Sequence, residues 1–166
     1  MITRTYWKEK IQNAWKERNI VWLSGVRRVG KTCLCKQMDN ITYLNCDLPS
    51  VKSQAEDPEF FLAQHGNSGS PLVLDEVHQI KDPSLVLKIA ADEFPNIKLL
   101  ATGSSTLQAS KKFRDTLTDR KRSIHLVPVL WRECLGAFGL PDLDKRLLHG
   151  GLPKKLYLIE YLWKNW

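Results

Sequence analysis

Short apolar runs alternate with amphipathic segments along this chain. Each apolar run bounded by polar, Gly or Pro residues predicts a buried strand, and these runs cover residues 20–24, 41–46, 71–76, 97–102 and 123–128. The segments around them predict helices over residues 3–18, 30–39, 57–65, 82–93, 105–118, 131–138, 142–149 and 154–165. One side of the first predicted helix carries Tyr6, Trp7, Ile11 and Trp15.

Strand and helix alternate five times in succession, which is typical of an α/β fold. We therefore predict a three-layer α/β domain in which a parallel five-stranded sheet carries helices on both faces. Ligands of such folds bind at the carboxyl ends of the strands. The chemistry is accordingly expected just after residues 24, 46, 75 and 102.

Residues 25–32 read GVRRVGKT, which matches the pattern G-x-x-x-x-G-K-[ST] of a phosphate-binding loop, the P-loop. Gly25 and Gly30 allow the backbone to bend so that N–H groups cradle phosphate oxygens, and the following helix adds the positive end of its dipole. Lys31 would reach the β- and γ-phosphates, and Thr32 would offer a hydroxyl to Mg²⁺. We predict that the bound nucleoside triphosphate is ATP. Its predicted binding residues are Gly25, Val26, Arg27, Arg28, Val29, Gly30, Lys31, Thr32 and Cys33.

The predicted strand LVLDE, within LVLDEVHQI at residues 72–80, ends in two carboxylates. Asp75 would hold Mg²⁺ through water, and Glu76 would orient and polarise the water that attacks the γ-phosphorus. An Asp-Glu pair at a strand end is also common on protein surfaces. The distance from the P-loop, with one strand between, favours the catalytic interpretation.

A small polar cluster follows the fourth predicted strand in LLATGSS, residues 99–105. Either Ser104 or Thr102 could bridge the attacking water if this strand lies beside the first one. A Gly-Ser-Ser sequence after a strand is by itself more typical of a simple turn.

The basic run KKFRDTLTDRKR, residues 111–122, has six basic and two acidic residues. Such a run is usually a solvated helix face. It could instead contact nucleic-acid phosphates, or it could provide an arginine that senses the nucleotide.

Composition and charge narrow the class of protein only partly. The net charge of +7 permits binding to phosphates, nucleic acid or an acidic partner. No apolar run approaches the roughly 20 residues that span a bilayer, and the N-terminus has no secretory signal, so we expect a cytoplasmic protein without a membrane span. The four cysteines, at positions 33, 35, 46 and 134, do not have the spacing of zinc ligands, and we expect them to be buried reduced thiols. We expect the four histidines to occupy ordinary surface or interface positions.

Five segments of the chain, taken in order, resemble those of a known family: GVRRVGKT, LVLDEVHQI, LLATGSS, LTDRKRSIHLVPVLWRECL and HGGLP. They are similar to the AAA-type ATPases of bacteria and archaea that usually continue into an uncharacterised C-terminal domain. These enzymes belong to the ASCE division of P-loop ATPases, which have an additional strand and a catalytic glutamate. The resemblance extends from residue 1 to about residue 155.

This resemblance implies a sheet of order 5-1-4-3-2. It implies roles in phosphate and Mg²⁺ binding for Lys31, Thr32 and Asp75, with Glu76 acting on water and Ser104 as a polar sensor. Arg120 matches a catalytic or sensor arginine that usually follows a glycine, and Asp119 takes that place here. Residues 1–130 would form the ATPase core, and residues 131–166 a partial helical lid or the start of a C-terminal domain.

The leading hypothesis is an ATPase that hydrolyses ATP with Mg²⁺ and serves a larger assembly as a switch or motor. A nucleic-acid-binding module that nucleotide merely regulates is the alternative, and a small-molecule kinase would need an acceptor pocket and a lid that leave no signature here. Residues 156–166 are apolar all round a helix, which predicts a partner that covers them. We expect that partner to be a second copy or a C-terminal segment, without which hydrolysis should be slow.

Overall fold

A five-stranded parallel sheet forms the centre of the molecule. The computed structural model describes residues 3–66, 69–139, 142–153 and 156. The strands are β1 (Ile20–Ser24), β2 (Thr42–Asn45), β3 (Leu72–Asp75), β4 (Leu99–Thr102) and β5 (Lys121–His125). They lie in the order β2-β3-β4-β1-β5, which confirms the predicted order of a P-loop α/β fold read from the opposite edge.

Helices cover both faces of this sheet. Those described are α1 (Thr5–Ala14), α2 (Lys31–Lys36), α3 (Pro49–Gln54), α4 (Pro58–Gly66), α5 (Pro83–Asp92), α6 (Ser105–Ala109), α7 (Lys111–Thr116), α8 (Trp131–Leu135) and α9 (Leu143–His149), with a short 3-10 turn at Val77–Gln79. In the part of the chain that the structure describes, no helix is both long and apolar enough to cross a bilayer. A cytoplasmic location stays a prediction.

The three central strands are apolar because both of their faces are buried. Every residue of β1, β3 and β4 is buried, and successive side chains point to opposite faces. Ile20 and Trp22 thus join the core under α3, α4, α5 and α7, whereas Val21 and Leu23 join the core under α1 and α2. Burial of each such side chain contributes about 1.5–3 kcal/mol, so the apolar runs determine which strands are central.

The register brings three strand ends to one edge of the sheet. β1 lies between β4 and β5, with Leu23 beside Thr102 and Ser24 beside His125. β3 pairs with β2 so that Asp75 lies beside Asn45. Because the strands are parallel, the loops after β1, β3 and β4 emerge together, as we predicted from the alternation.

Two helices differ from the prediction for local reasons. The helix expected over residues 105–118 is divided at Ser110, whose hydroxyl accepts a hydrogen bond from the N–H of Phe113 (3.3 Å) and caps α7. Helix α3 was not predicted, because it is short and has no side-chain cap, although Pro49 occupies its first turn.

A small third cluster follows the sheet. Val129, Cys134, Phe138 and Leu156 pack together there, and α9 exposes Leu147 and Leu148 to solvent. The helix predicted over 154–165 lies outside the described residues apart from Leu156. The division into a core at 1–130 and a lid at 131–166 therefore stays a prediction.

Candidate functional site

The P-loop connects β1 to α2, and two of its glycines are needed for its conformation. A Cβ atom at Gly25 would lie 2.5 Å from the carbonyl oxygen of Leu126, too close for any other residue. Gly30 has φ +99°, in the left-handed region that glycine favours. Arg28 also adopts a positive φ of 66°. The loop is thus bent twice within three residues, as a phosphate cradle requires.

Lys31 begins α2 and lies at the mouth of the loop. Its Nζ atom donates to the carbonyl oxygen of Gly25 (2.9 Å) and lies 3.5 Å from that of Val26. The side chain therefore bends back over the P-loop, where the phosphates of a nucleotide would lie. Thr32 and Cys33 in the same turn are exposed, so the Thr32 hydroxyl is accessible to a ligand.

Asp75 ends β3 and is almost completely buried. Its Oδ1 atom accepts a hydrogen bond from the Thr102 hydroxyl (2.5 Å), and its Oδ2 atom accepts one from the Tyr43 hydroxyl (2.7 Å). Burial and this bond to Asp75 raise the pKa of Tyr43 well above its usual value. The carboxylate is therefore held in one orientation by two hydroxyl groups from neighbouring strands.

Glu76 follows in the left-handed conformation (φ 56°, ψ 45°). Its N–H donates to Oγ1 of Thr102 (2.9 Å). Its carboxylate is about one-third exposed, with Oε2 3.3 Å from Nδ1 of His78, at ion-pair distance but without the angle of a hydrogen bond. Thr102 thus binds both members of the Asp-Glu pair, and the turn directs the second carboxylate towards solvent.

Ser104 lies two residues beyond Thr102 and has a different structural role. Its hydroxyl accepts a hydrogen bond from the N–H of Leu107 (3.2 Å) and caps α6. Ser104 also lines the cavity at the strand ends. Of Ser104 and Thr102, it is Thr102 that contacts both acidic residues, through the carboxylate of Asp75 and the backbone N–H of Glu76.

A cavity of about 540 Å³ lies at this edge of the sheet, within the usual size range of ligand sites. Its lining combines the P-loop with the ends of β3, β4 and β5: Ser24, Gly25, Val26, Arg27, Lys31, Asp47, Glu76, His78, Gln79, Gly103, Ser104, Gln108 and His125. The P-loop, Glu76 and Ser104 are therefore brought together as predicted by the motifs.

Some residues of the site were missed. The sequence predicts ordinary surface or interface positions for His78 and His125, yet both line the cavity, and Nδ1 of His125 lies 3.1 Å from the Ser24 hydroxyl. Their positions close to the ends of predicted strands could have indicated that they belong to the site. Tyr43 gave no signal, since a tyrosine within an apolar strand is typical of a core.

Arg120 does not reach this cavity within the chain. It precedes β5 at the opposite edge of the sheet, where its Nε atom donates to Asp92 (2.7 Å). Asp119, where the resemblance implies a glycine, adopts a left-handed φ of 59°, which glycine favours. A catalytic role for Arg120 is thus compatible only with the site of a neighbouring molecule, and it stays a prediction.

The basic run at 111–122 contributes several of its cations to contacts inside the molecule. Lys112 pairs with Asp82 (2.7 Å), and Arg122 pairs with Glu17. Lys121 packs over the ring of Phe113 at 5.4 Å, and burial lowers the pKa of its ammonium group. These contacts favour a structural role for much of the run, and nucleic-acid binding stays a prediction.

The cysteines also differ in part from the prediction of buried thiols. Cys35, Cys46 and Cys134 are buried, but Cys33 is exposed on the first turn of α2. Burial, with the charge of Asp75 as a second cause, raises the pKa of Cys46 to about 12. The thiols beside the Asp75 carboxylate are therefore neutral at physiological pH.

The donor set fits a nucleotide with Mg²⁺. A hydroxyl and a carboxylate are the hard oxygen ligands that Mg²⁺ prefers, and Mg²⁺ usually keeps waters and phosphate oxygens as its other ligands. Within the described residues, no group of three His, Cys, Asp or Glu side chains could hold a metal ion by itself. Phosphate oxygens would accordingly have to complete the ligand set.

Comparison with known proteins identifies relatives of this arrangement. A family model described as an AAA domain matches residues 17–135. The fold is similar to that of a Walker-type ATPase of Pyrococcus abyssi, with a TM-score of 0.61 and 15% identity over 94% of this chain. The chain spans 65% of that ATPase's length. No curated protein is significantly similar to the chain in sequence.

Proposed function

The chain belongs to the AAA domain family of P-loop ATPases, and we propose that it hydrolyses ATP with Mg²⁺ as the switch or motor module of a larger assembly. The observation that carries this proposal is the contact of Thr102 with both acidic residues beside the P-loop. Oγ1 of Thr102 bonds to Asp75 and accepts from the N–H of Glu76, so one hydroxyl fixes both groups. An Asp-Glu pair held in this way favours hydrolysis over nucleotide binding alone.

Nucleotide binding would rest on the P-loop. Backbone N–H groups of residues 25–33 would cradle the phosphates, and Lys31 would leave the carbonyl of Gly25 to contact the β- and γ-phosphates. Arg27 lines the same cavity and would add positive charge to it.

Thr32 and Asp75 are the residues that would hold Mg²⁺, which when bound would neutralise charge on the phosphate oxygens. Tyr43 and Thr102 already fix both oxygens of Asp75. The carboxylate would therefore need little reorganisation, and a bound water would complete its contact with the ion.

Glu76 would orient and polarise the attacking water. Its carboxylate borders the cavity and is partly exposed, so a water molecule has access to it. Ser104 lies at the same edge and would contact the water or the γ-phosphate with the remaining capacity of its hydroxyl.

Two substitutions separate binding from hydrolysis. Lys31→Ala should weaken the affinity for a fluorescent ATP analogue by at least about tenfold, because it removes a charge-assisted contact. Glu76→Gln should retain that affinity but lower turnover by about 10²–10⁴-fold, because it removes the base.

Matched controls remove the same groups elsewhere. Lys16→Ala removes an exposed lysine of the helix-α1 region, and Glu93→Gln neutralises a glutamate just after α5. Both should bind and turn over ATP as the wild type does. Wild-type turnover in Glu76→Gln would contradict the proposed mechanism, and wild-type affinity in Lys31→Ala would contradict the site.

A further inference from the structure

Arg4 lies behind the P-loop and is 5% exposed, although arginine is rarely buried. Its guanidinium forms a two-pronged ion pair with Glu133, from Nε to Oε1 and from Nη2 to Oε2, both at 2.9 Å. Glu133 is also buried, and its Oε2 atom accepts from the N–H of Leu130 (2.8 Å). The pair therefore links Arg4, immediately before α1, to Glu133 in α8, which lies 129 residues later in the chain.

The remaining donors of Arg4 hold two backbone carbonyls. Nη1 donates to the carbonyl of Val29 in the P-loop, and Nη2 donates to the carbonyl of Val127 after β5, both at 3.2 Å. The ring of Trp7 lies 5.5 Å from the guanidinium carbon. One side chain thus links the P-loop, the segment after β5 and α8.

The contact with Val29 determines the direction of a P-loop N–H group. The Val29 carbonyl and the Gly30 N–H belong to one peptide unit, which is planar and trans, so they point in opposite directions. Because Arg4 holds the carbonyl on the core side, the Gly30 N–H faces away from Arg4. A phosphate cradle needs backbone N–H groups that are held in fixed directions, and the peptide unit that Arg4 holds lies immediately before Lys31.

Pro153, in the C-terminal part of the chain, lies close to Gly30. A Cβ atom placed on Gly30 would lie 3.7 Å from Cγ of Pro153. Pro153 follows Gly151, whose carbonyl accepts from the N–H of Val129 (2.8 Å), and Val129 in turn accepts from Arg146 (2.8 Å). The segment of residues 127–133 thus connects Arg4 to this C-terminal region.

Stability alone does not account for such a pair. Replacing a buried ion pair with apolar residues is often neutral or stabilising, because removing two charges from water is costly. Burial raises the pKa of Glu133, but the hydrogen bonds from Arg4 outweigh that effect and hold it below its usual value. The pair is therefore charged, and besides its contribution to stability it fixes the positions of the groups that Arg4 contacts.

We propose that Arg4 and Glu133 are positioning residues that hold the P-loop in its nucleotide-binding form and couple nucleotide binding to residues 127–133, at the start of the C-terminal region. This inference rests on the proposed function, because it needs a nucleotide at the P-loop. Nucleotide binding would restrict the movement of the Val29–Gly30 peptide unit. Arg4, which contacts this unit, would transmit the restriction to Val127 and Glu133.

Conservative variants test the positioning role. Arg4→Lys keeps the charge but loses the fork that reaches two carbonyls and a carboxylate together, and Glu133→Gln keeps the shape but loses the charge. Each should weaken binding of a fluorescent ATP analogue and of ADP by about tenfold, the usual effect of losing a charge-assisted hydrogen bond. Ile97→Val is the stability control, since it trims a buried side chain in the core on the other face of the sheet.

Hydrogen exchange tests the coupling. In the wild type, the ATP analogue should slow exchange of the amides of residues 127–134, and this protection should be lost in both variants but retained in Ile97→Val. Should Arg4→Lys fail to fold by circular dichroism, Glu133→Gln decides the question with both measurements.

Three results would overturn the inference or its basis. Equal affinity in Glu133→Gln and Ile97→Val would refute the positioning role. Wild-type protein that binds nucleotide without any change in exchange at 127–134 would refute the coupling. Failure of the wild type to bind nucleotide in a Lys31-dependent way would instead refute the proposed function, and this inference with it.

Discussion

Replacing Thr102 with valine should disconnect the two acidic residues while leaving the shape of the core intact. Valine and threonine have the same branched form, so the buried methyl group stays in place. The substitution removes the hydrogen bond to Oδ1 of Asp75 (2.5 Å) and the acceptor for the N–H of Glu76 (2.9 Å). It therefore tests whether this one hydroxyl organises the site.

The cost to stability follows from these two bonds. A hydrogen bond to a charged group contributes about 2 kcal/mol, and the partly buried N–H of Glu76, left without an acceptor, costs about 1.5 kcal/mol. Thr102→Val should thus lower the free energy of unfolding by about 3.5 kcal/mol, and Tm by roughly 7–14 °C for a domain of this size. Thr102→Ser keeps both bonds and loses one methyl group, which costs about 1 kcal/mol.

Turnover should separate these two variants more clearly than stability does. Because Thr102→Val frees the turn at Glu76, kcat should fall at least about tenfold, whereas the Kd for ATP, measured at saturating Mg²⁺, should stay within about twofold. Thr102→Ser should keep kcat close to the wild-type value. Urea unfolding and steady-state turnover, measured on both variants, provide the comparison. Equal kcat in Thr102→Val and Thr102→Ser would refute the role of this hydroxyl.

Further predictions concern the other contacts. Tyr43→Phe removes the second hydroxyl from Asp75 and should raise the Mg²⁺ concentration needed for tight binding of the ATP analogue, and an unchanged Mg²⁺ titration would count against it. Arg120→Ala should lower turnover only at concentrations at which the chain associates, because Arg120 pairs with Asp92 far from its own P-loop; identical turnover throughout a concentration series would exclude that role. The pKa of folded Glu133 lies below its ordinary value of 4.5, so its stabilisation is present above pH 4.5 and is lost as the pH falls through the folded pKa. The Tm difference between wild type and Glu133→Gln should therefore shrink in acid, and a constant difference would contradict this sign.

Local patterns in the sequence were sufficient to predict the alternation of strands and helices. The central strands β1, β3 and β4 were predicted because a strand buried on both faces must be apolar throughout, and such a run is visible without any tertiary information. The edge strand β5 is largely exposed, and it spans Lys121–His125 instead of the predicted residues 123–128. The P-loop and the Asp75–Glu76 pair were predicted for a similar reason, since each is a contiguous motif whose chemistry depends on neighbouring residues. The sheet order came from the resemblance to a family, not from the local pattern.

Only the tertiary structure decided which side chains meet. Thr102 contacts Asp75 across 27 residues, and Arg4 contacts Glu133 across 129. Sequence spacing carries no information about such pairs, so Tyr43 and Arg4 gave no signal. The role of Arg120 was implied by the resemblance to a family, but that resemblance does not show which edge of the sheet an arginine before β5 occupies. The identity of the elements thus follows from hydrophobic periodicity, a local property, whereas the site depends on strand order and register, which only the packed sheet determines.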